Sequence, residues 1–316
     1  MNVVVIGVGH LGAYHVEQWI QIVGKENVYA YDINSERCND VCSRLECLKI
    51  MEEGQIYQIA DIIDIVTPTQ FHFDWIKKGI AHQKQIFVEK PICYSLQEAD
   101  EILELMKNSS SKLQVGHIER FNPAFVSIKE NINAPKFFEV HRLAPFNPRG
   151  TEVSVIMDLM IHDLDIILSI MKSFPVKIDA TGVNIMSATP DIANVRLEFE
   201  NGCVANLTAS RISMKKMRKM RVFSDNGYIS IDFLEKDSEK YDIVEDKEQI
   251  EGLSFVNFEG KSKKLVYENK VNQNQNALYE ELYSFYQSVK FGDSITIDEK
   301  QGVAVFKLAH QIQSLI

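Results

Sequence analysis

The sequence predicts an α/β protein: a doubly wound parallel sheet, then an α+β domain built on a large, mostly antiparallel open sheet. Three observations carry this. From Met1 to about Ile118, short apolar, β-branched runs alternate with helix-length amphipathic stretches, the pattern of parallel strands joined by crossover helices. Between the first run and the first helix stands Gly7-Val8-Gly9-His10-Leu11-Gly12. After Phe174-Pro175, strand-like runs are separated by turn residues, with Asn-Gly at 201–202 and 226–227, a strong hairpin signal.

Val3-Val4-Val5-Ile6 is the first strand, continuous enough to be buried on both faces. The glycines follow at once, and Ala13 to Ile22 is a helix with Leu11, His15 and Ile22 spaced for one face. Strand, glycines, helix is the context a dinucleotide-binding fingerprint requires. Glycines allow the tight turn and close backbone approach to a pyrophosphate, and the helix N-terminus offers N–H groups to the phosphates. The second strand, Val28-Tyr29-Ala30-Tyr31, ends in Asp32, 20 residues past Gly12, the spacing at which a carboxylate reaches the adenosine ribose. Asp32 would repel a 2′-phosphate, and Ile33-Asn34-Ser35 offers no cation; Arg37 is the nearest. The expected cofactor is NAD rather than NADP.

Ser35 is expected to cap a helix through about Leu45, and Leu48 to Met51 to form a short strand. Ile62 to Val66 is the fourth strand, ending at Thr67-Pro68, and a helix runs from about Gln70 to His82. The fifth strand is Gln85-Ile86-Phe87-Val88-Glu89; Pro91 cannot donate to a ladder, so it stops at Lys90. Ser95 to Lys107 is a helix and Lys112 to Ile118 the sixth strand. A glutamate and a lysine thus stand at the carboxyl end of a parallel strand, where ligands of such sheets bind. The plain alternative is a solvated ion pair.

Thr67-Pro68-Thr69-Gln70-Phe71-His72, followed by Glu89-Lys90-Pro91 at the next strand end, resembles the Gfo/Idh/MocA family of sugar and cyclitol oxidoreductases. The resemblance implies that Lys90 reaches the reacting hydroxyl and the nicotinamide, and that the Lys90–Pro91 peptide is cis. It also implies a cofactor-binding set of Gly7, Gly9, His10, Leu11, Gly12, Asp32, Thr67, Pro68, His72, Glu89 and Lys90. Gly116-His117-Ile118-Glu119-Arg120-Phe121-Asn122-Pro123 is similar to the family's junction between domains, placing the expected boundary at 118/119, with 119–316 as the substrate-binding and oligomerisation domain. Arg120 and Asn122 then either face the substrate or start a helix.

After a strand from Lys136 to Leu143, a helix is expected from Glu152 to Met171, apolar in nearly every direction and so mostly buried. Asp158, His162 and Asp165 fall on one face of it. A polar stripe on a buried helix is hydrogen-bonded or lines a cavity. It is either a core histidine satisfied by acids or an acid/base held in one tautomer by a carboxylate. By resemblance Asp158 and His162 are catalytic and substrate-binding with Lys90, although Val153-Ser154 and Met160 stand where the family often has glycines. Antiparallel strands follow: Val176 to Met186, Asn194 to Glu200, Cys203 to Ser210, Lys219 to Ser224 and Tyr228 to Phe233. Weakly patterned strands with loops are expected over Glu235 to Lys270, then helices over Asn276–Lys290 and Asp298–Leu315. The sheet's open face needs a cover, most simply a second subunit. In the family this sheet makes the dimer contact, so a homodimer or homotetramer is expected. Arg211, Lys215, Lys216, Arg218, Lys219 and Arg221 form a basic run, expected to be solvated for the most part.

The 316 residues carry a net charge of −10 and a pI near 5.4, which argues against nucleic acid or an anionic membrane as partner. Five cysteines without zinc spacing fit apolar packing in a reducing cytosol and no metal site. Met1-Asn2 leads straight into a strand, so no signal peptide is expected. The expected activity is hydride transfer between NAD and a secondary alcohol of a sugar or nucleotide sugar. Within the family, the 116–123 and 158–165 stretches are most similar to enzymes acting on the 3-hydroxyl of UDP-N-acetylglucosamine; Arg120, Arg142, Arg149 and the 211–221 run are the candidate diphosphate ligands. The alternatives are a free-sugar or inositol dehydrogenase, an NAD-dependent glycosidase, and a non-catalytic dinucleotide sensor.

Overall fold

A computed structural model describes residues 1–147, 153–245, 252–256, 262–271 and 275–316. The chain divides into two compact units, Met1–Ile118 with Asn276–Lys307 and Glu119–Gln275 with Leu308–Ile316.

The first unit alternates β1 (Val3–Ile6), α1 (His10–Val23), β2 (Val28–Tyr31), α2 (Ser35–Leu45), β3 (Leu48–Lys49), α3 (Glu53–Ile59), β4 (Ile62–Ile65), α4 (His72–Ala81), β5 (Gln85–Glu89), α5 (Leu96–Lys107) and β6 (Leu113–Gly116). All strand pairs are parallel, in the order β3-β2-β1-β4-β5-β6. The order reverses between β1 and β4, and ligands bind at the carboxyl ends beside such a switch point. Helix ends follow local chemistry. Ser95 and Glu98 form a capping box on α5, while Asn34 rather than Ser35 caps α2 by accepting from the Arg37 N–H.

The second unit is not the contiguous 119–316 that the sequence predicts. It begins with α6 (Pro123–Val126), β7 (Phe137–Leu143) and α7 (Ile161–Met171). Strands β8 (Lys177–Val183), β9 (Ile192–Glu198), β10 (Val204–Ser210), β11 (Met217–Ser224), β12 (Gly227–Asp232), β13 (Asp237–Glu245), β14 (Leu253–Val256) and β15 (Ser262–Val271) follow. The next helix, α8 (Ala277–Phe291), returns to the first unit, where Leu278, Leu282 and Phe285 join a core with Val3, Trp19 and Phe87. The division between units falls inside α9 (Glu299–Gln313).

The second sheet runs β14-β15-β13-β12-β11-β7-β10-β9-β8, antiparallel except for β7 with β10. Strand alternation gives it one buried face, with Phe138, Val140, Leu207, Met220 and Ile231, and one half-exposed face. The expected continuous helix over 152–171 is corrected: a π turn, Ile156–Met160, precedes α7, and Glu152 lies outside the described residues. Among the described residues no helix is long and apolar enough to cross a membrane.

Candidate active site

The glycine loop and the ends of β2 and β4 line a cleft of 540 Å³ in the first unit, with Gly7, Gly9, His10, Leu11, Gly12, Asp32, Thr67 and Pro68 all on its wall. Gly7 has φ +88°, the left-handed region, and its N–H donates to Tyr31 O at 2.8 Å. A Cβ on Gly12 would collide with the Gly7 carbonyl, whereas one on Gly9 would meet nothing within 4 Å. So Gly12 closes helix against strand and Gly9 leaves the cleft floor open. Gly9 is also the N-cap of α1 and gives no side-chain cap, leaving the first-turn N–H groups available to an anion. Asp32 ends β2 with a nearly buried carboxylate. Its Oδ2 accepts from the Val8 N–H at 3.0 Å, its Oδ1 from the Asn34 N–H at 2.8 Å, and Arg37 Nη1 lies 3.5 Å away. Thr67 Oγ1 is buried on this wall without a hydrogen-bond partner among the described residues. Open backbone donors, a carboxylate at the end of β2 and an orphaned hydroxyl fit NAD.

The sequence reading missed the aromatic wall of this cleft, where Trp75 meets Tyr31 edge-on at 5.9 Å and Lys78 Nζ lies 4.9 Å over the Trp75 ring. His72, Glu89 and Lys90, expected by resemblance to bind the cofactor, are not among the residues lining this cleft. His72 is buried, with Nδ1 2.9 Å from Pro91 O and Nε2 2.7 Å from Thr67 O, so it ties together the ends of β4 and β5. Burial lowers its pKa against the pull of those two carbonyls.

Glu89 points into the sheet and meets His15, 3.2 Å between Oε1 and Nε2; His15 Nδ1 lies 2.9 Å from Asp64 Oδ2. Burial works against a charged His15, but the charge and hydrogen bond of Asp64 and the nearby carboxylate of Glu89 prevail and raise its pKa to about 10. Burial likewise opposes ionisation of Glu89, and His15, then Lys90, outweigh it and hold the carboxyl below its usual range. Lys90 stands half-buried at the end of β5, and its peptide with Pro91 is cis.

In the second unit the structure spends several candidate residues on its own scaffold. Asn122 is buried; its side chain accepts from the Ala124 N–H and donates to Glu119 and to Phe233 O. It is a helix cap, which corrects the substrate-facing alternative. Arg120 binds Asp165 with two hydrogen bonds, 2.7 and 2.9 Å, taking Asp165 out of the expected Asp158–His162–Asp165 stripe. Beneath the sheet, buried Arg142 donates to Asp163 twice and to Glu119 once, each at 2.8 Å. It is a core cation rather than a phosphate ligand. Burial pushes the Asp163 carboxyl up although Arg142 opposes it.

Asp158, on the π turn, remains half-buried, as does His162 in the first turn of α7. Asp158 lines a second-unit cavity of 430 Å³ with Phe146, Asn147, Arg211 and Lys216. Arg211 is buried, not solvated; its Nη2 donates to Val153 O, Thr189 Oγ1 and Pro190 O. Lys219 and Arg221 lie on the half-exposed sheet face, paired with Asp232 and Glu139. Arg149 lies outside the described residues. Among the described residues no cluster of His, Cys, Asp or Glu could hold a metal ion.

Known proteins place this geometry. The profile described as "Oxidoreductase family, NAD-binding Rossmann fold" matches residues 1–117, and that of the GFO/IDH/MocA C-terminal domain matches 136–230. The chain is 37% identical to UDP-N-acetylglucosamine 3-dehydrogenase of Acidithiobacillus ferrooxidans over 235 residues, 74% of each. It is 30% identical to scyllo-inositol 2-dehydrogenase (NAD(+)) of Bacillus subtilis over 66% of this chain and 67% of that one. Among solved structures, UDP-N-acetylglucosamine 3-dehydrogenase GnnA from A. ferrooxidans superposes with a TM-score of 0.89 at 31% identity, covering 100% of this chain and 97% of its own. With family profiles matching both the nucleotide-binding half and the sheet of the second unit, this chain belongs to the Gfo/Idh/MocA family of NAD-dependent oxidoreductases.

Proposed function

We propose that this enzyme transfers a hydride between NAD and the 3-hydroxyl carbon of UDP-N-acetylglucosamine. The observation that carries the reading is the likeness to a UDP-N-acetylglucosamine 3-dehydrogenase, which extends over the whole chain in structure and not over the nucleotide-binding half alone. Bound NAD supplies the hydride acceptor. Lys90 and His162 handle the hydroxyl proton, and Asp158 orients the imidazole. With a cationic Lys90 the lysine polarises the substrate oxygen and His162 takes the proton; with a neutral Lys90 the lysine is itself the base. Lys216 on the wall of the Asp158 cavity offers a cation to an anionic substrate. An inositol is the second reading, favoured by the scyllo-inositol dehydrogenase relative.

The assay supplies NAD, UDP-N-acetylglucosamine, and an aminotransferase with its amino donor to draw an unfavourable oxidation forward. NADH formation that depends on the UDP-sugar is the expected result. No NADH there, with robust turnover of an inositol or free sugar, overturns it.

The half-exposed face of the second sheet is proposed as the contact between subunits. Supporting this, Phe137, Phe223, Tyr228, Tyr241 and Tyr267 are cross-strand neighbours in one row, with Tyr228 and Tyr241 stacked at 4.4 Å. Such an aromatic row facing water is costly, and a second copy would cover it.

A further inference from the structure

We infer that a buried charge chain, Asp64–His15–Glu89, positions Lys90 and sets the field around its amine, with His15 as the balancing cation. The inference rests on the role proposed above for Lys90.

Its members come from three elements: His15 from α1, Asp64 from β4 and Glu89 from β5. His15 and Asp64 are 0% exposed, Glu89 8%. Asp64 Oδ2 takes a hydrogen bond from Trp19 Nε1 at 2.7 Å as well as facing His15, so the anchor end is fixed twice. At the other end the Glu89 carboxylate divides its oxygens. Oε1 faces His15, and Oε2 accepts the backbone N–H of Lys90 at 3.0 Å. The carboxylate therefore grips the peptide that carries the proposed catalytic lysine.

A second feature shapes the same cradle. Gly116 on β6 is the register partner of Glu89, and a Cβ there would lie 3.0 Å from Glu89 Cδ and Oε1. The strand next door is glycine where the carboxylate must lie. Charge completes the argument. Two buried carboxylates and one imidazolium leave one negative charge, and Lys90 is the next cation acting on Glu89. His72 also feels Glu89, from beyond Pro91, but its charged form is disfavoured by burial. Removing the imidazolium leaves Glu89 to hold the Lys90 ammonium more tightly; neutralising Glu89 does the opposite.

The two substitutions thus have opposite signs. Lys90 in the full-length protein is acylated with an amine-reactive ester at pH 8, and its modification is followed by peptide mass spectrometry relative to exposed Lys215. His15→Gln is expected to slow Lys90 labelling about tenfold, and Glu89→Gln to speed it about as much. Both should lower kcat about tenfold or more, with little change in KM for NAD. A purely structural network would loosen the site in both variants and speed labelling in both; that result, or no change in either, overturns the inference. Should either variant fail to fold, Gly116→Ala keeps every charge and displaces the Glu89 carboxylate. Its kcat is expected to fall likewise, and a wild-type kcat overturns the inference. Labelling needs no substrate. Opposite labelling shifts in an enzyme inactive on every sugar and inositol would therefore refute the proposed function and leave the charge chain standing.

Discussion

Replacing Asp32 with serine should invert the cofactor preference of the first unit. The Asp32 carboxylate closes β2 at the cleft wall, held by the Val8 and Asn34 N–H groups and 5% exposed. A 2′-phosphate on the adenosine ribose would bring about two negative charges beside it. Two unit charges 4 Å apart repel by about 1 kcal/mol in bulk water and about 4 kcal/mol at an effective dielectric of about 20. The cleft lies between these limits, and about 1.4 kcal/mol is tenfold in affinity. The wild type should therefore favour NAD over NADP by at least about tenfold. Asp32→Ser removes the repulsion and frees Arg37, whose Nη1 is 3.5 Å from the carboxylate, to face the phosphate. NADP affinity should rise about tenfold to a hundredfold. NAD affinity should fall about tenfold, the scale of a lost charged hydrogen bond to the ribose. Calorimetric titration with both nucleotides reads this directly. Adding Arg37→Ala to Asp32→Ser should remove the part of the NADP gain that Arg37 supplies, leave the part due to lost repulsion, and spare NAD. An unchanged NAD:NADP ratio in Asp32→Ser would mean that the carboxylate does not face the 2′ position, and would refute the reasoning.

Lys90→Ala and His162→Ala should each lower turnover on the true substrate by roughly a hundredfold or more while NAD binding holds, which calorimetry and steady-state kinetics separate. Near-normal turnover in either assigns that residue to structure. Arg142→Met leaves Asp163 buried without its paired guanidinium and Glu119 with the half-exposed Arg218, 3.6 Å away, and should cost about 3–5 kcal/mol in urea unfolding; a loss under about 1 kcal/mol contradicts the buried network. His15 adds a pH signature. Its pKa is 6.5 unperturbed and about 10 in the fold, so its stabilisation is complete below 6.5 and is lost as pH rises through 10. The stability gap between wild type and His15→Gln should shrink by about 1.4 kcal/mol per pH unit above neutrality, and a gap that stays constant to pH 10 speaks against a charged His15.

The central strands β1, β4 and β5 were legible because each is a short, mostly apolar run broken by a turn signal, and parallel strands buried on both faces need little else. What the sequence did not carry was partner choice. The stripe Leu278, Leu282 and Phe285 announces a buried helix face, but it says nothing about whether the neighbour is the nearby sheet or a core some 270 residues upstream. The π turn was equally silent. Its residues, Ile156 to Met160, show the apolar density of an ordinary helix, and one extra residue per turn leaves no period of its own. The short α3, with Ile56 as its buried residue, had too little apolar pattern to be seen.

At the site, residues marked by a short local pattern were easier to find than those that act through each other. Glycine spacing and the terminal acid of β2 mark the cleft from within 30 residues of chain. His15 passed as one more residue on an apolar helix face, because its partners stand 49 and 74 positions away. A signal was nevertheless present. Asp64 is the lone acid in Ile62-Ile63-Asp64-Ile65, a strand apolar on both faces. A carboxylate at the centre of a parallel sheet has no route to water, so it demands a buried donor or cation. The first helix packs on that sheet, and Trp19 and His15 are its residues with a ring N–H to offer toward the core. From the acid, the histidine could have been inferred. From the histidine's second nitrogen follows the next acid, Glu89, one residue before the proposed catalytic lysine. An acid that violates the apolar pattern of a central strand is thus the thread by which such a chain is found.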